Sequence, residues 1–275
     1  MKIANFVLVS LVVISVGVLL MFPETNTVDV YLYRIPYYYL TTGRNKERIN
    51  HMAHAFPDIN ITEIRPILTN DKISKWQSGA SGFCKMIDEG LRNQDSYKPF
   101  QPFVVMEDDA SKYREFPKII HIPKDCDLLY IGVSIFGMPA TDSTGNTPSA
   151  MPLYLKKKSE GVFRIHNMLG MHGIMVCSAA GANLITRCMV DSYYKDKVWD
   201  INMAQTQRLY NVYALDEPLV YQNAKVGGHE SGTKTTLSSV RNKIQDDSYT
   251  IKKNPQDNLS ICTSSRDVPN CKCIS

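Results

Sequence analysis

Three consecutive acidic residues follow a short apolar run in the segment Pro102 to Lys112. The run Phe103 to Met106 predicts a buried strand, because it is too short for a helix and is bounded by proline and polar residues. Glu107, Asp108 and Asp109 at the end of such a strand repel one another and resist desolvation. A divalent cation that prefers oxygen ligands, Mg²⁺ or Mn²⁺, balances this charge. The alternative is a solvated acidic turn.

The segments before the acids predict an alternation of strands and helices. The predicted elements are a strand at Val28–Ile35 closed by Pro36, a helix at Arg44–Phe56, a strand at Ile61–Ile67, and a helix at Ser81–Asn93 with Ser81 as its N-cap. Strands joined by a helix form a βαβ unit and imply a parallel sheet. In open α/β sheets, ligands bind outside the carboxyl ends of the strands, and the three acids lie at such an end.

The segments after the acids predict further elements of the same domain. They are strands at Asp127–Val133, Val162–Ile165 and Gly173–Ser178, a helix at Ala179–Cys188, a helix at Ile201–Leu209 with Asp200 as its N-cap, and short strands at Val212–Leu215 and Leu219–Gln222. Met138–Met151 contains prolines and little periodicity, which predicts a loop. The segment from Leu237 onward has too few apolar residues for a core.

The N-terminal segment predicts a membrane anchor. Ile3 to Phe22 is almost entirely apolar, and a bilayer crossing requires roughly 20 such residues. Lys2 lies on the N-terminal side, which favours an N-in, type II orientation with the remaining chain lumenal or extracytoplasmic. The alternative is a cleaved signal peptide and a secreted protein. Sequons at Asn60 and Asn258 are consistent with a glycosylated lumenal domain.

Length, charge and cysteine content limit the remaining possibilities. The 275 residues are expected to divide into a signal anchor at 1–23, one catalytic domain at 24–235 and a polar tail at 236–275. A dispersed net charge of +4 gives no reason to expect nucleic-acid binding. Of the seven cysteines, four lie in apolar or helical patterns, whereas Cys262, Cys271 and Cys273 cluster in the tail. A disulfide from Cys262 to Cys271 or Cys273 is plausible in a lumenal domain, and a zinc site is the weaker alternative.

From Val28 to about Ser231, the chain resembles glycosyltransferase family 25, the lipooligosaccharide and collagen galactosyltransferase group. The matching pieces occur in the family's order: VDVYLYRI, SGASGFCKMIDEGL, PFVVMEDDA, DLLYIG, GMHGIMVCSAAGANLITR and VWDINMAQTQRLYNVYALDEPLVYQ. The chain departs from the family in lacking a Ser-His pair in the second piece and in having Gly173-Ile174 where the family has Ala-Tyr. The resemblance implies a GT-A-type, Rossmann-like nucleotide-sugar-binding sandwich with a mostly parallel central sheet.

The resemblance also implies an activity. Such enzymes move a sugar from a nucleotide-sugar donor, here expected to be a UDP-sugar, to a glycan or glycoprotein acceptor. Bound Mn²⁺ or Mg²⁺ offsets the negative charge that develops on the leaving nucleoside diphosphate. A base accepts the proton of the acceptor hydroxyl in an inverting displacement.

Each candidate residue is assigned a role within this expectation. Asp109 is expected to bind the metal, Glu107 to contact the metal or the donor ribose, and Asp108 to point away, since alternate residues of a strand face opposite sides. The remaining assignments are Asp200 as the base, His172 and Arg34 in the donor site, and His229 of the GGHES segment as a late metal ligand. Their ordinary alternatives are an N-cap for Asp200, a core histidine for His172, and plain surface residues for Arg34 and His229.

Two other classes of function remain open from the sequence. A transferase-like lumenal domain that binds but does not catalyse is compatible with the missing Ser-His pair. A metal-dependent phosphodiesterase is the other alternative, because clustered acids also serve two-metal chemistry.

Overall fold

A computed structural model describes residues 26–134, 137, 140–141, 153–159, 161–226 and 250–251. The strands are β1 (Thr27–Tyr31), β2 (Tyr37–Leu40), β3 (Ile61–Ile64), β4 (Phe103–Glu107), β5 (Ala110–Lys112), β6 (Ile119–Pro123), β7 (Leu128–Tyr130), β8 (Ala140–Thr141), β9 (Leu153–Ser159), β10 (Val162–His166), β11 (Gly173–Val176), β12 (Val212–Leu215), β13 (Val220–Gln222) and β14 (Thr250–Ile251). The helices are α1 (Lys46–Ala55), α2 (Lys75–Arg92), α3 (Ala179–Lys195) and α4 (Trp199–Thr206).

The central sheet has eight strands in the order β3-β2-β4-β11-β7-β12-β10-β9. The pairs β2–β3, β2–β4 and β7–β12 are parallel, and the pairs β4–β11, β7–β11, β10–β12 and β9–β10 are antiparallel. The protein is therefore a mixed α/β fold, as predicted, but the expectation of a mostly parallel sheet is corrected to a mixed one. The physical reason is that β11 runs antiparallel between two strands of the opposite direction.

The predicted first strand is divided in the structure. β1 pairs with β6 outside the central sheet, and a short 3-10 helix, Leu32–Arg34, separates it from β2. The prediction that Pro36 closes the first strand is wrong, because Pro36 precedes β2. This strand, and not Val28–Ile35, forms a βαβ unit with α1 and β3. This position is compatible with proline because its carbonyl accepts a hydrogen bond from Val104 N at 2.9 Å while no donor is required of it.

Helix α2 begins about two turns earlier than predicted. Its N-cap is Ser74, which forms a capping box with Gln77, whereas Ser81, the predicted N-cap, is buried within the helix. The small residues of this segment are also typical of loops. Here they lie in a helix, where their size permits close packing against neighbouring side chains. A Cβ atom added at Gly79 would lie 2.3 Å from the Trp199 ring, and one at Gly82 would lie 2.1 Å from Leu40.

Two hydrophobic clusters cover the two faces of the central sheet. Along β4, Phe103 and Val105 belong to the cluster that contains α2 and α3, whereas Val104 and Met106 belong to the cluster that contains Met52 of α1. This alternation follows from the two-residue period of a strand. It confirms that Phe103 to Met106 is a buried strand, and it determines which face each neighbouring residue approaches.

Residues 1–23, which the sequence predicts to be a membrane anchor, lie outside the described part of the chain. Within that part, none of the helices combines the length and apolar character that a bilayer crossing requires. The described residues also omit most of the predicted loop Met138–Met151 and nearly all of the tail at 236–275.

Candidate functional site

The candidate site lies at one edge of the central sheet, where β2, β4 and β7 end and β11 begins; we call it the acidic edge. Gly173 of β11 pairs with Met106 of β4. Continuing this antiparallel register places His172, the residue before Gly173, opposite Glu107, the residue after Met106. The ends of two neighbouring strands therefore bring together residues that are 65 positions apart in sequence numbering, 107 and 172.

Arg48 provides a positive charge at the acidic edge. It lies in the first turn of α1, the helix that follows β2, and its Nη1 atom donates to Asp108 Oδ1 at 2.6 Å. Its Nη2 atom lies 3.8 Å from Asp109 Oδ2, and its Nε atom donates to the carbonyl oxygen of Val226 at 2.9 Å. The strand β4 ends at Glu107, so alternation does not extend to Asp108 and Asp109, and the turn directs both to one guanidinium group.

Asp109 is the most buried of the three acids. Its Oδ2 atom accepts a hydrogen bond from Gln222 Nε2 at 3.1 Å, and its carbonyl oxygen accepts one from Asn223 N at 2.8 Å. Its Oδ1 atom is buried and has no hydrogen-bond partner among the residues that the structure describes. Burial raises the pKa of Asp109, and the Gln222 hydrogen bond and Arg48 lower it in part. A buried carboxylate oxygen with this environment requires a positive partner in the charged state.

Glu107 faces the side of the sheet that carries α2 and α3, where Asp200 is close enough to raise its pKa. Glu107 has the same parity along β4 as Phe103 and Val105, which face α2 and α3. Burial, followed by the negative charges of Asp109 and Asp200, raises the pKa of Glu107 well above its ordinary value. A cation or another positive group at this position would oppose that shift and favour the charged form of Glu107.

Asp200 is not the N-cap that the sequence predicted. Helix α4 is capped at Val198, so Asp200 is the second residue of the helix. Its Oδ2 atom accepts a hydrogen bond from Gly170 N at 3.3 Å, in the loop that precedes β11. The cap prediction failed because Trp199 enters the helix, where its ring packs against Gly79 and Phe83 of α2. Asp200 is thereby directed to the acidic edge rather than to its own helix terminus.

His172 is a buried, neutral histidine. Its ring packs so closely against Gly132 that a Cβ atom there would lie 2.5 Å from His172 Cδ2. Gly170, with φ of +89°, supplies the left-handed backbone that turns the chain toward β11. Within the described residues, His172 Nε2 has no hydrogen-bond partner. Burial lowers the pKa of His172 to about 4, so the imidazole is uncharged at neutral pH.

His172 is expected to make the protein sensitive to mild acid. The unfolded chain binds a proton near pH 6.5, whereas the folded protein binds it only near pH 4, so the stabilising effect is complete above pH 6.5 and is lost as the pH falls between these values. The difference corresponds to about 3 kcal/mol of unfolding free energy. Urea unfolding measures the unfolding free energy at each pH from 7 to 4. The wild type should lose this free energy as the pH falls, and His172→Gln should not. Equal pH dependence in both proteins would contradict it.

A serine–histidine pair lies next to the acids but does not form a nucleophile–base pair. Ser111 Oγ lies 2.8 Å from His51 Nε2, and the same nitrogen lies 2.9 Å from the carbonyl oxygen of Ala110. A carbonyl oxygen only accepts, so His51 Nε2 carries its proton and cannot take one from Ser111. Asn223 Nδ2 donates to Ser111 Oγ at 2.9 Å, which completes a structural network joining α1, β5 and β13.

The structure brings together some of the residues predicted for the site and separates others. Glu107, Asp108, Asp109, His172 and Asp200 all lie at the acidic edge. Arg34, predicted for donor binding, lies beside Pro102 and thus at the opposite end of β4, where its guanidinium group is 5.0 Å from the Tyr31 ring centroid. His229 lies outside the described residues.

Sequence reasoning missed two residues of the acidic edge, Arg48 and Gln222. A signal for Arg48 was present, because the first turn of a helix that follows a parallel strand lies at the carboxyl edge of the sheet. Gln222 carried no comparable signal. Its contact with Asp109 arises because β13 pairs with β5, the strand directly after the acids.

The acidic edge is compatible with a divalent cation held mainly by one carboxylate. Among the described residues, no three His, Cys, Asp or Glu side chains are grouped closely enough to enclose a metal ion. Mg²⁺ and similar ions are commonly bound by one or two carboxylates, with water and substrate phosphates as the other ligands. The buried Oδ1 atom of Asp109 fits such a partial site.

Comparison with known proteins adds no family assignment. The chain matches no model of a known protein family, and a search of curated proteins finds none with significant similarity. The resemblance to glycosyltransferase family 25 therefore depends on the order of the sequence motifs and remains a prediction.

Proposed function

We propose that this protein is a metal-dependent glycosyltransferase that moves a sugar from a nucleotide-sugar donor, a UDP-sugar, to a glycan or glycoprotein acceptor. The observation that carries the proposal is the buried Oδ1 atom of Asp109, which has no hydrogen-bond partner among the described residues and lies just beyond the end of β4, where Glu107 is opposite His172. This is where open α/β sheets bind nucleotides, and the mixed α/β fold is compatible with the GT-A-type architecture that the motifs predict.

Asp109 and Glu107 would hold Mn²⁺ or Mg²⁺ in this proposal, and His229 is a proposed further ligand. When bound, the cation would offset the charge of the departing nucleoside diphosphate. Arg48 supplies a positive charge beside Asp108 and Asp109, and it partly opposes the effect of burial on the pKa of Asp109. The protein residues thus prepare an anionic site of defined geometry before the donor arrives.

Asp200 is the proposed general base in an inverting displacement. It lies at the same edge as the acids, and its charge contributes to the raised pKa of Glu107. The hydrogen bond from Gly170 N holds its Oδ2 atom in the loop next to His172. From that position the carboxylate would accept the proton of the acceptor hydroxyl. Neutral His172 excludes water beside it without adding charge.

The proposed setting is a membrane-anchored, type II protein with a lumenal or extracytoplasmic catalytic domain. The apolar run of Ile3 to Phe22 and the preceding Lys2 support this placement. Secretion after signal cleavage is the alternative.

A non-catalytic, donor-binding domain is the second candidate. Arg48 favours it, because its guanidinium group already supplies Asp108 with a counter-charge and approaches Asp109. A cation would be less necessary in such a site, and donor binding would not require turnover.

Release of nucleoside diphosphate tests the proposal. The purified full-length chain, in detergent with Mn²⁺, is incubated with a panel of UDP-, GDP- and CMP-sugars, and free nucleotide is measured. We expect Mn²⁺-dependent release of UDP from one UDP-sugar, because an activated donor is slowly hydrolysed even without its acceptor. Thermal stabilisation by a nucleotide sugar without release would support the binding domain. Hydrolysis of bis(p-nitrophenyl) phosphate without donor cleavage would support a phosphodiesterase.

A further inference from the structure

A cavity lies at the end of the sheet opposite the acidic edge. It has a volume of about 460 Å³ and is bounded by β1, β6 and the segment that leads into β4. Two of the residues that line it are cysteines, Cys126 and Cys177, and two are basic, Arg34 and Lys124. The lining of the cavity thus combines a pair of thiols with two basic side chains and one acidic side chain, that of Asp29.

The two cysteines are neighbours because they terminate paired strands. Cys126 lies two residues before β7, and Cys177 directly follows β11. These strands pair antiparallel, and the pairing extends past Val176 to a hydrogen bond from Cys177 N to the carbonyl oxygen of Asp127, at 2.9 Å. Both thiols are free and line the same cavity, and Cys177 is close enough to contribute to the raised pKa of Cys126.

We propose that Cys126 and Cys177 form a reversible disulfide, with a small disulfide such as oxidised glutathione as the oxidant. This modification is independent of sugar transfer and lies at the opposite end of β4 from the acidic edge. The backbone hydrogen bond to Asp127 holds Cys177 opposite the residue that follows Cys126, and both cysteines line the same cavity.

The exchange proceeds in two balanced steps. The Cys177 thiolate attacks one sulfur of oxidised glutathione, which forms a mixed disulfide and releases one glutathione thiolate. Cys126 then attacks the Cys177 sulfur, which forms the protein disulfide and releases the second glutathione. The two protein thiols lose two protons and two electrons in total, and one oxidised glutathione becomes two reduced molecules.

Burial determines the order of attack. Cys126 is buried, whereas Cys177 is half-buried and lies at the surface of the cavity. Burial and the adjacent Cys177 raise the pKa of Cys126, which makes Cys126 the less reactive of the two thiols. Glutathione carries carboxylates, and Arg34 and Lys124 in the lining of the cavity would attract them, against the single negative charge of Asp29.

Peptide mapping of the full-length chain tests the proposal. The protein is treated with oxidised glutathione, blocked with iodoacetamide under denaturing conditions, and digested without reduction for mass spectrometry. We expect a cross-linked peptide pair containing Cys126 and Cys177, two hydrogen masses lighter than the reduced pair. The fully buried Cys84 and Cys188 serve as internal controls and should remain reduced. No cross-link, or a pairing of either cysteine with another thiol, would overturn the proposal.

Two variants separate the proposed steps. In Cys126→Ser, glutathione should accumulate on Cys177 as a stable mixed disulfide. In Cys177→Ser, modification of Cys126 should slow by about tenfold or more. The buried Cys126 thiol then lacks the half-buried Cys177, which reacts first. Equal modification of Cys126 with and without Cys177 would contradict the mechanism. In the wild type, closure of the 126–177 loop should raise Tm by about 5 °C.

Discussion

Replacing Asp109 with asparagine is expected to abolish Mn²⁺-dependent UDP release, by about 100-fold or more, while the protein remains folded. The substitution removes the negative charge from the buried Oδ1 position that is proposed to bind the cation. Asparagine has nearly the same shape and can still accept the hydrogen bond from Gln222 through its amide oxygen. The loss should therefore affect catalysis and metal binding rather than folding.

The stability of Asp109→Asn should change little or increase. Burial disfavours the charged form of Asp109, as its raised pKa indicates, and a neutral amide avoids this cost. The contribution of Arg48 partly opposes this gain, because the guanidinium group loses one of its two carboxylate neighbours. Thermal unfolding with and without Mn²⁺ measures both the stability and the binding of the metal. The variant should lose the increase in Tm that Mn²⁺ produces in the wild type.

Asp29→Asn is the matched control for this experiment. Asp29→Asn makes the same chemical change at an exposed site on β1. The only described ion pair of Asp29 is with His121. It lies at the opposite end of the sheet from the acids, and its replacement should leave UDP release unchanged. If Asp109→Asn retains wild-type release and the Mn²⁺ shift, the assignment of Asp109 to the metal is wrong.

The largest expected loss of stability is that of Gly181→Ala, about 3 kcal/mol or more. Gly181 lies in the first turn of α3, and a Cβ atom there would lie 2.1 Å from the carbonyl oxygen of Asp127. This distance is far below van der Waals contact, and the obstacle is backbone rather than a flexible side chain. Helix propensity alone predicts the opposite result, since alanine is favoured over glycine by about 1 kcal/mol.

The backbone at Asp127 cannot move away from the new methyl group at low cost. Its carbonyl oxygen accepts from Cys177 N and its N–H donates to Asn211 O, both at 2.9 Å. Its side chain also accepts from Ser178 Oγ at 2.7 Å and from Asn211 N at 3.0 Å. Moving Asp127 would therefore disturb the contacts of β7 with both neighbouring segments.

Gly161→Ala provides the comparison for Gly181→Ala. Gly161 has φ of +70°, and no atom of the described residues lies within 4 Å of an added Cβ atom, so the substitution is expected to cost the left-handed backbone penalty of about 1–2 kcal/mol. Urea unfolding of both variants measures the difference. Equal stability of the two variants would show that α3 shifts to accommodate the methyl group, which contradicts the close packing described for this helix.

Local pattern was sufficient for the elements that interact mainly with their own neighbours in sequence. The apolar run of β4 ends at its acids, and β12 has the predicted limits Val212–Leu215. Helix α1 lies within the predicted range, because its polar face and its flanking segments provide clear boundaries. In these cases the two-residue and 3.6-residue periods were not overridden by distant contacts.

Tertiary packing determined the elements that the sequence misassigned. Ser78 to Gly82 looked like the region before a helix, but these small residues lie inside α2 because Trp199 and Leu40 pack against them. Asp200 looked like a cap, but Trp199 joins α4 to complete the same packing. Small residues have the same signature in a loop and at a close contact, so one sequence cannot distinguish the two cases.

The sequence by itself determined the α/β class, the buried strand β4 and the position of the three acids at its end. Only the tertiary structure decided that Arg48 neutralises part of this charge, that Gln222 binds Asp109, and that Arg34 lies at the other end of the sheet. These contacts join residues from distant parts of the chain. Their geometry depends on strand order and pairing direction, which hydrophobic periodicity does not encode.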